Sequence, residues 1–448
     1  MTATQLPEPT VEVRPGRPAL RAVGDAAVLW LARIAATGWF RRIEVVGLEQ
    51  LRPGSPVVVV ANHSNGFVDP LTLMATAPRP LRFLAKATLW KVPGVKWLMA
   101  VAGVLPVERR QDGAGTEGNR AVFAASDAEL VQDGAVALFP EGTVNDTLRL
   151  KPLKTGAARI ALGARQAGAR SLRIVPVGLV YLDKTRPRSR VLVRAGEPIE
   201  LDQAIEFLVA PGESEGPENH DAVHRLTALM AARLAEAATD YDRSVDLVRL
   251  LAAATAYVRG SEADLGREIE LRDAEPTARA LLAAPAEHRA AVLSAVERYD
   301  SHLVTLGLRD VDVVPGNTTV RFQHRSRLTR AKVLALAPAA FVGAGVNGPS
   351  FGLVKGAAAA KRLRPIDTAN FLVLASLVTF PLTWVGWGYV ARRRTAPSVA
   401  PRVHRRPDQR AGRRAGLGAV RGQPHRQGAV AAHAPPRRRP RRPPGRAG

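Results

Sequence analysis

Residues 56–70 read PVVVVANHSNGFVDP, and this stretch sets the fold that the sequence predicts around it. The run 56–61 is short, wholly apolar and rich in valine, which is the pattern of a strand buried on both faces of a sheet. A polar cluster that includes His63 and Asp69 follows the run at once. Because a buried strand that ends in polar side chains delivers them to one edge of its sheet, the stretch predicts the start of a functional site.

Short apolar runs and helical stretches alternate on the C-terminal side of this strand. Further strands are predicted at 81–85, 103–107, 135–139 and 174–182. Helices are predicted between them at 70–77, 91–102, 119–132 and 154–167. Strands that alternate with helices indicate an α/β domain, which we assign to residues 19–205. Its first segment, 19–40, has an apolar side typical either of a packing helix or of a helix on a membrane surface, and the sequence leaves both open.

The rest of the chain divides into segments of different composition. Residues 1–18 are rich in proline and are predicted to be loose, and residues 206–330 have the spacing of a helical appendage. Within 331–394, two uncharged apolar segments each approach the ~20 residues that cross a bilayer. They predict a membrane hairpin, with a buried helical pair of a soluble domain as the alternative. The Arg/Pro-rich tail 395–448 is predicted to be disordered, or to be an out-of-frame reading of a GC-rich gene.

The net charge of +24 is concentrated at the C-terminus. From residue 391 onward there are 17 Arg and a single acidic residue, so this part carries +16 and the remainder only +8. A mildly basic body suits anionic lipid or a phosphorylated substrate, and we expect no nucleic-acid partner. The absence of cysteine excludes disulfides, thiolate nucleophiles and cysteine metal sites.

His63 and Asp69 have the chemistry that acyl transfer to an alcohol requires. A neutral imidazole takes the hydroxyl proton near pH 7, and such a base contributes ~10²–10⁴-fold in rate. A carboxylate on the other ring nitrogen selects the tautomer and stabilises the imidazolium that forms. The alternative for the same residues is that Asp69 caps the helix that opens at Pro70, and that His63 is an ordinary loop histidine.

Three further blocks follow this pair along the chain. Residues 103–109 read GVLPVER and end in Arg109, whose guanidinium can hold a phosphate with two hydrogen bonds. Residues 139–143 read FPEGT and residues 175–178 read VPVG, and each of these blocks follows an apolar run. With the block that contains His63, they resemble, in this order, the four motifs of the glycerolipid acyltransferase superfamily. That superfamily includes glycerol-3-phosphate and lysophosphatidate acyltransferases.

The resemblance implies a mixed sheet flanked by helices and a role for each block. It implies that His63 is the catalytic base and that Asp69 is its partner. The substrate-binding residues that it implies are Asn62, Arg109, Glu141, Gly142, Thr143 and Lys154. The acyl-pocket residues that it implies are Val175, Pro176, Val177 and Gly178. It implies no metal and no bound cofactor, with acyl-CoA or acyl carrier protein as the co-substrate.

One spacing departs from the usual family pattern, which has four residues between the histidine and the aspartate. Five residues separate His63 from Asp69 here, which puts the geometry of the loop in question. The longer spacing resembles a branch that has Asn-His-Pro-Asn-type motifs and a C-terminal membrane hairpin, several members of which act on glycerol 3-phosphate.

We therefore expect an enzyme of phospholipid biosynthesis that transfers a fatty acyl group to the hydroxyl of glycerol 3-phosphate. The first alternative is acylation of 1-acylglycerol 3-phosphate, and the second is a catalytically silent lipid-binding membrane protein. The expected partners are membrane lipids, a phosphorylated glycerol acceptor and the acyl carrier. The expected location is a membrane, with the active site on its cytoplasmic face.

Overall fold

The computed structural model of the protein describes most of the chain outside its two ends. The described residues are 18–91, 95–108, 119–144, 150–183, 186–238, 244–261, 268–308, 319–363 and 365–395. One compact unit comprises Met1–Arg394, and Thr395–Gly448 form a second unit. The predicted loose N-terminus and the predicted disordered tail lie outside the described residues, apart from Pro18 and Thr395.

A mixed sheet of eight strands forms the centre of the first unit. The strands are β1 Arg42–Val46, β2 Val57–Ala61, β3 Arg82–Lys86, β4 Leu105–Val107, β5 Ala135–Leu138, β6 Arg173–Tyr181, β7 Arg190–Ala195 and β8 Ile199–Glu200. Their order across the sheet is β1-β7-β6-β2-β5-β3-β4, with β8 beside β6. All neighbours are parallel except β7 and β8, which run antiparallel to β6. The predicted α/β class with a mixed sheet is confirmed.

Helices surround the sheet and extend beyond it. The helices are α1 Pro18–Trp39, α2 Val68–Thr76, α3 Val95–Val101, α4 Asn119–Val131, α5 Gly156–Gln166, α6 Leu201–Leu208, α7 His220–Ala237, α8 Ser244–Ser261, α9 Leu271–Ala283, α10 Ala286–Leu306, α11 Thr319–Ala360 and α12 Pro365–Thr395. The five strands and four helices predicted in the domain each match an observed element within a few residues. The sequence analysis missed β1, β7 and β8.

The valine run at β2 is apolar throughout because helices cover both faces of the sheet. Val57 and Val59 contribute to a core cluster with residues of α1 and α2. Val58 and Val60 point to the opposite face and contribute to a cluster with residues of α5, α6 and α7. All four side chains have no exposed surface, which is the reason that the strand lacks the polar alternation of a half-solvated sheet.

Helix α1 has a buried face and an exposed apolar face. Ala32 and Ala36 are buried on the side that contacts α2. The opposite side exposes Val23, Trp30, Leu31 and Ile34. The packing-helix interpretation of residues 19–40 therefore holds for one face, and the membrane-surface interpretation stays a prediction for the other.

The predicted helical appendage packs directly on the sheet. Helix α7 contributes to the core cluster under β2, and α8 and α9 pack beside β6 and β7. A buried ion pair anchors this contact, because Arg190 on β7 donates to Glu44 on β1 at 2.7 Å. The second carboxylate oxygen of Glu44 accepts the backbone N–H of Arg272 on α9 at 2.9 Å. The predicted boundaries at 205 and 330 fall within α6 and α11.

Helices α11 and α12 lie where the membrane hairpin is predicted, and they pack against each other as an antiparallel pair. Residues 330–360 and 367–394 are long and apolar enough to cross a membrane, by length and composition. Polar contacts join the two helices in antiparallel register: Ser350 Oγ donates to the carbonyl of Thr379 at 2.9 Å, and Trp384 Nε1 donates to Asn347 Oδ1 at 2.9 Å. The most apolar windows of the two helices are 0% and 6% buried. The membrane location of the pair stays a prediction.

Asp127 on α4 provides a stability test of the fold. Burial raises the pKa of Asp127 from 3.8 to about 6, and its Oδ1 has no hydrogen-bond partner among the described residues. The folded state therefore binds this proton more tightly than the unfolded chain. The free energy of unfolding consequently falls as the pH rises from 3.8 through about 6.

We expect Asp127→Asn to stabilise the protein above that range by about 1 kcal/mol, a value reduced because the side chain is only half-buried. Thermal unfolding of the full chain in detergent at pH 8 and at pH 4.5 measures this difference. Asp300→Asn, at an exposed position of α10, is the matched control. A variant that gains no more at pH 8 than at pH 4.5 contradicts the expectation.

Candidate active site

The predicted motifs meet at the edge of the sheet where β2 and β5 end. These neighbouring strands are parallel, so the residues that follow them leave the sheet on the same side. Asn62 and His63 follow β2, and the turn that begins at Phe139 follows β5. Strand β6 is parallel to β2 and continues past its end toward Tyr181. The sheet thereby brings the residues after β2 close to two segments that lie more than 70 residues farther along the chain.

His63 and Asp69 are hydrogen-bonded to each other. The distance from His63 Nδ1 to Asp69 Oδ2 is 2.9 Å. Asp69 lies in the first turn of α2, whose N-cap residue is Phe67, so the interpretation of Asp69 as the helix cap is wrong. A carboxylate is an acceptor, which favours the tautomer with the proton on Nδ1 and leaves Nε2 free to act as a base.

The five-residue spacing closes around Asp69 through two backbone contacts of Asn65. The Asn65 N–H donates to Asp69 Oδ2 at 2.7 Å, and the Asp69 N–H donates to the Asn65 carbonyl at 3.1 Å. The additional residue is therefore accommodated within the turn, and the histidine still reaches the carboxylate. The departure from the usual spacing does not separate the pair.

The imidazole of His63 is held by aromatic stacking as well as by Asp69. Its ring stacks on Phe139, with 4.1 Å between ring centroids and 14° between planes, and Phe139 stacks on Phe83 behind it. The His63 side chain is 14% exposed, whereas that of Asp69 is fully buried. The ring is thus fixed between neighbours while part of it stays accessible from outside.

Tyr181 is a partner of Asp69 that the sequence analysis missed. Its hydroxyl donates to Asp69 Oδ1 at 2.7 Å from the end of β6. Burial, followed by the negative charge of Asp69, raises the pKa of Tyr181 well above its ordinary value. The phenol therefore keeps its proton and remains a hydrogen-bond donor to Asp69.

Glu141 connects the end of β5 to the backbone of His63. Its Oε1 accepts the His63 N–H at 2.8 Å, and its Oε2 accepts the Lys151 N–H at 3.2 Å. The side chain is only 3% exposed, so these bonds compensate the burial of a charge. Glu141 holds the polypeptide on both sides of the site, and it orients the residue that carries the imidazole.

Two lysines lie beside the turn that follows Glu141. Gly142 has a φ of 71°, in the left-handed region that favours glycine, and a Cβ there would lie 3.4 Å from Lys154 Cγ. Lys151 Nζ donates to Thr143 Oγ1 at 3.3 Å. The turn therefore carries two cationic side chains, of which the sequence analysis identified Lys154 and missed Lys151.

Comparisons with known proteins identify the family of the segment that carries these residues. Residues 42–180 match the family model described as Acyltransferase. This segment is an acyltransferase-family domain. The predicted resemblance to acyltransferases is confirmed for this segment. The roles of the individual motifs, and the branch with Asn-His-Pro-Asn-type motifs, stay predictions.

Curated relatives of the acyltransferase domain act on two different acceptors according to their names. The chain is 32% identical over 151 residues to 1-acyl-sn-glycerol-3-phosphate acyltransferase BAT2 of Brassica napus. This matched region covers 33% of this chain and 40% of the relative. It is 39% identical over 85 residues to glycerol-3-phosphate O-acyltransferase 2 of Saccharomyces cerevisiae. This second matched region covers 19% of this chain and 11% of the relative. The matched regions span less than half of either relative.

A solved structure also matches the chain. It is the 1-acyl-sn-glycerophosphate (LPA) acyltransferase PlsC from Thermotoga maritima, at 18% sequence identity and a TM-score of 0.36. The match covers 50% of this chain and 83% of that protein.

The other predicted site residues of the acyltransferase domain have differing surroundings. Asn62 extends the pairing of β2 with β6, because its Nδ2 donates to the Leu179 carbonyl at 3.1 Å and its Oδ1 accepts the Leu179 N–H at 2.7 Å. Arg109 lies outside the described residues, which resume only at Asn119. The catalytic roles of His63 and Asp69 stay predictions. So do the substrate-binding roles of Asn62, Arg109, Glu141, Gly142, Thr143 and Lys154.

The predicted acyl-pocket residues belong to the central strand β6. Val175, Pro176, Val177 and Gly178 are all buried. A Cβ on Gly178 would lie 2.2 Å from the Ala237 carbonyl oxygen, so glycine is required there for the end of α7 to approach the sheet. That requirement accounts for the glycine by packing alone, and the role of these residues in acyl binding stays a prediction. The absence of a metal and of a cofactor also stays a prediction.

We expect Tyr181→Phe to lower the free energy of unfolding by about 1–3 kcal/mol, because the buried Asp69 carboxylate loses a donor that nothing replaces. The stacking of residue 181 on Phe40 is retained by the phenylalanine ring. Thermal or chemical denaturation of the full chain in detergent measures the loss. Tyr257→Phe, at a position that is 72% exposed, is the matched control, and equal stabilities of the two variants would contradict the expectation.

Proposed function

We propose that the protein is a membrane acyltransferase that transfers a fatty acyl group from acyl-CoA or acyl carrier protein to the hydroxyl of glycerol 3-phosphate. The observation that carries the proposal is the His63–Asp69 hydrogen bond of 2.9 Å within an acyltransferase-family domain. A buried carboxylate with an ordered set of donors behind a partly accessible imidazole is the arrangement that general-base catalysis needs.

In the proposed reaction, His63 Nε2 removes the proton from the acceptor hydroxyl as its oxygen attacks the thioester carbonyl carbon. The new C–O bond forms and the carbonyl electrons move to oxygen. When the tetrahedral intermediate collapses, the C–S bond breaks and the thiol leaves with the proton that His63 returns. Asp69 stabilises the imidazolium between these steps, and a positioned base of this kind contributes ~10²–10⁴-fold in rate.

The acceptor phosphate requires cations near the histidine. Lys151 and Lys154 lie at the turn after β5, whose Glu141 is bonded to the His63 backbone. Ammonium groups bind phosphate oxygens as compact point charges, and an arginine at position 109 would add a two-bond contact. We propose that these cations hold the phosphate while the hydroxyl faces His63.

The position of α12 supports a site at the membrane surface. Asn370, near the start of this helix, contacts the loop that follows His63. From Asn370 to Arg392 a helix rises about 33 Å, close to the ~30 Å hydrocarbon thickness of a bilayer. The site would thus lie where an acyl chain enters from the lipid. We assign it to the cytoplasmic face, where the acyl carriers are found.

A second acceptor, 1-acylglycerol 3-phosphate, is supported by the names of the relatives that share the longer matched region. The two reactions differ in the acceptor and not in the chemistry at His63. Direct competition between acceptors is therefore part of the test.

We expect membranes containing the full chain to form a new acyl ester from one of the two acceptors when acyl-CoA or acyl carrier protein is the donor. His63→Ala should lower kcat at least about 10²-fold, because the base is lost. Mass spectrometry of the lipid product measures both the ester formed by the wild type and the lower turnover of the variant. His224→Ala, at an exposed position of α7, should retain wild-type turnover and is the matched control.

If product forms from 1-acylglycerol 3-phosphate (lysophosphatidate) and not from glycerol 3-phosphate, the acceptor is 1-acylglycerol 3-phosphate and not the one proposed. Absence of product from every donor and acceptor pair, with folded protein in the membrane, would contradict the proposal and favour a lipid-binding protein without turnover. Equal turnover of His63→Ala and wild type would remove His63 from the mechanism.

A further inference from the structure

The helix α12 contacts the loop between β2 and α2 through a side-chain amide. Asn370 Oδ1 accepts the backbone N–H of Phe67 at 2.7 Å. Phe67 is the N-cap residue of α2, and the loop that it ends carries His63. The contact joins residues that are 303 positions apart, so it is a tertiary contact between the hairpin and the site.

Backbone N–H groups at the start of a helix have no partner within the helix and need an acceptor from elsewhere. In this loop, Asp69 Oδ2 accepts the Asn65 N–H, and the Asn65 carbonyl accepts the Asp69 N–H. Phe67 lies between these two residues and donates outward to Asn370. The turn is therefore held from inside by Asp69 and from outside by α12.

Gly66 permits the close approach of the asparagine. A Cβ on Gly66 would lie 3.2 Å from Asn370 Nδ2 and 3.6 Å from Val144 Cγ2. The first of these distances is tighter than an ordinary van der Waals contact, so a side chain at position 66 would push the amide away from Phe67. The glycine and the asparagine are thus complementary in shape.

The start of α12 is part of the core of the acyltransferase domain. Ala369 is fully buried and Val373 is 4% exposed, and both belong to the cluster that contains Val68 of α2. Farther along the helix, Val378 is 58% exposed and Leu382 is 65% exposed. The same helix therefore packs on the domain at its beginning and presents an apolar surface along the rest of its length.

We propose that Asn370 is a positioning residue, whose amide on the candidate membrane helix fixes the loop that carries His63 and Asp69. The inference goes beyond the proposed function, and it rests on that function only for the effect on turnover. The hydrogen bond to Phe67 limits opening of the loop, so that His63 and Asp69 keep their contact when the substrate binds.

The test compares Asn370→Leu with wild type, using the full chain in lipid nanodiscs. Leucine is similar in size and has no acceptor, so hydrogen exchange of peptides within 64–70 should become about tenfold faster, the effect of one hydrogen bond of ordinary net strength. The kcat for acyl transfer should fall by about the same factor, with less than about twofold change in KM for the acyl donor. Asn370→Asp keeps an oxygen at the same position and should restore at least half of the lost protection.

Asn347→Leu is the matched control, because it makes the same substitution in the same hairpin. Asn347 accepts from Trp384 and does not contact the loop, so exchange within 64–70 and kcat should stay at wild-type values. If Asn370→Leu also accelerates hydrogen exchange in β6, the substitution disturbs the fold as a whole. The variant Gly66→Ala then decides whether the contact with Asn370 holds the loop. Gly66 is outside the left-handed region, so alanine there acts through the contact with Asn370 and should raise exchange within 64–70 alone.

Exchange within 64–70 that is unchanged in both Asn370→Leu and Gly66→Ala would overturn the inference. If wild type transfers no acyl group, the proposed function fails, and the exchange result still decides whether Asn370 holds the loop. If wild type and Asn370→Leu transfer equally while His63→Ala does not, the function stands and the positioning role is overturned.

Discussion

The carboxylate of Asp69 is fully buried, and the geometry of the site depends on the donors that surround it. The His63 imidazole, the Asn65 N–H and the Tyr181 hydroxyl all lie within 2.9 Å of its two oxygens. An ionised carboxylate without such partners would be costly to bury, because desolvation of a charge is compensated only by well-placed hydrogen bonds. The loop after β2, the end of β6 and the first turn of α2 must therefore form together around this one group.

The parallel pairing of β2 with β5 and β6 explains how such distant segments meet. In a parallel pair the carboxyl ends lie on the same edge, so the residues after β2 face those after β5. Glu141 makes this proximity rigid by accepting backbone N–H groups from both sides of the site. The sheet brings the residues of the site near one another, and the buried carboxylates of Asp69 and Glu141 orient His63 by hydrogen bonds.

The features that the sequence predicted are those with a local pattern. The apolar run at β2 and the nearby His63 and Asp69 lie within one short stretch, so their pattern is visible without tertiary contacts. Strand β1 escaped notice because it carries Arg42 and Glu44, charges that are paired in the fold with residues far away in the sequence. Charged residues argue against a buried strand only as long as their ion-pair partners are not known.

Tyr181 and Asn370 could not have been predicted, for a related physical reason. Each contributes one polar group from a segment whose own pattern is complete without it: a buried strand for Tyr181 and an apolar helix for Asn370. The hydrogen-bond partner of Tyr181 lies 112 residues away in the sequence, and that of Asn370 lies 303 residues away. Residues that act through a single long-range hydrogen bond leave no periodicity and no motif.

The packing of α12 has a consequence for how the domain is delimited. Residues 42–180 match the acyltransferase family, yet Ala369 and Val373 belong to the same core cluster as β2 and α2. Removing the hairpin would expose that part of the core and leave the Phe67 N–H without its acceptor. The unit that assembles the site is therefore larger than the family match. If α12 spans a bilayer, the structure of the loop that carries His63 and Asp69 is coupled to membrane insertion, since the same helix takes part in both.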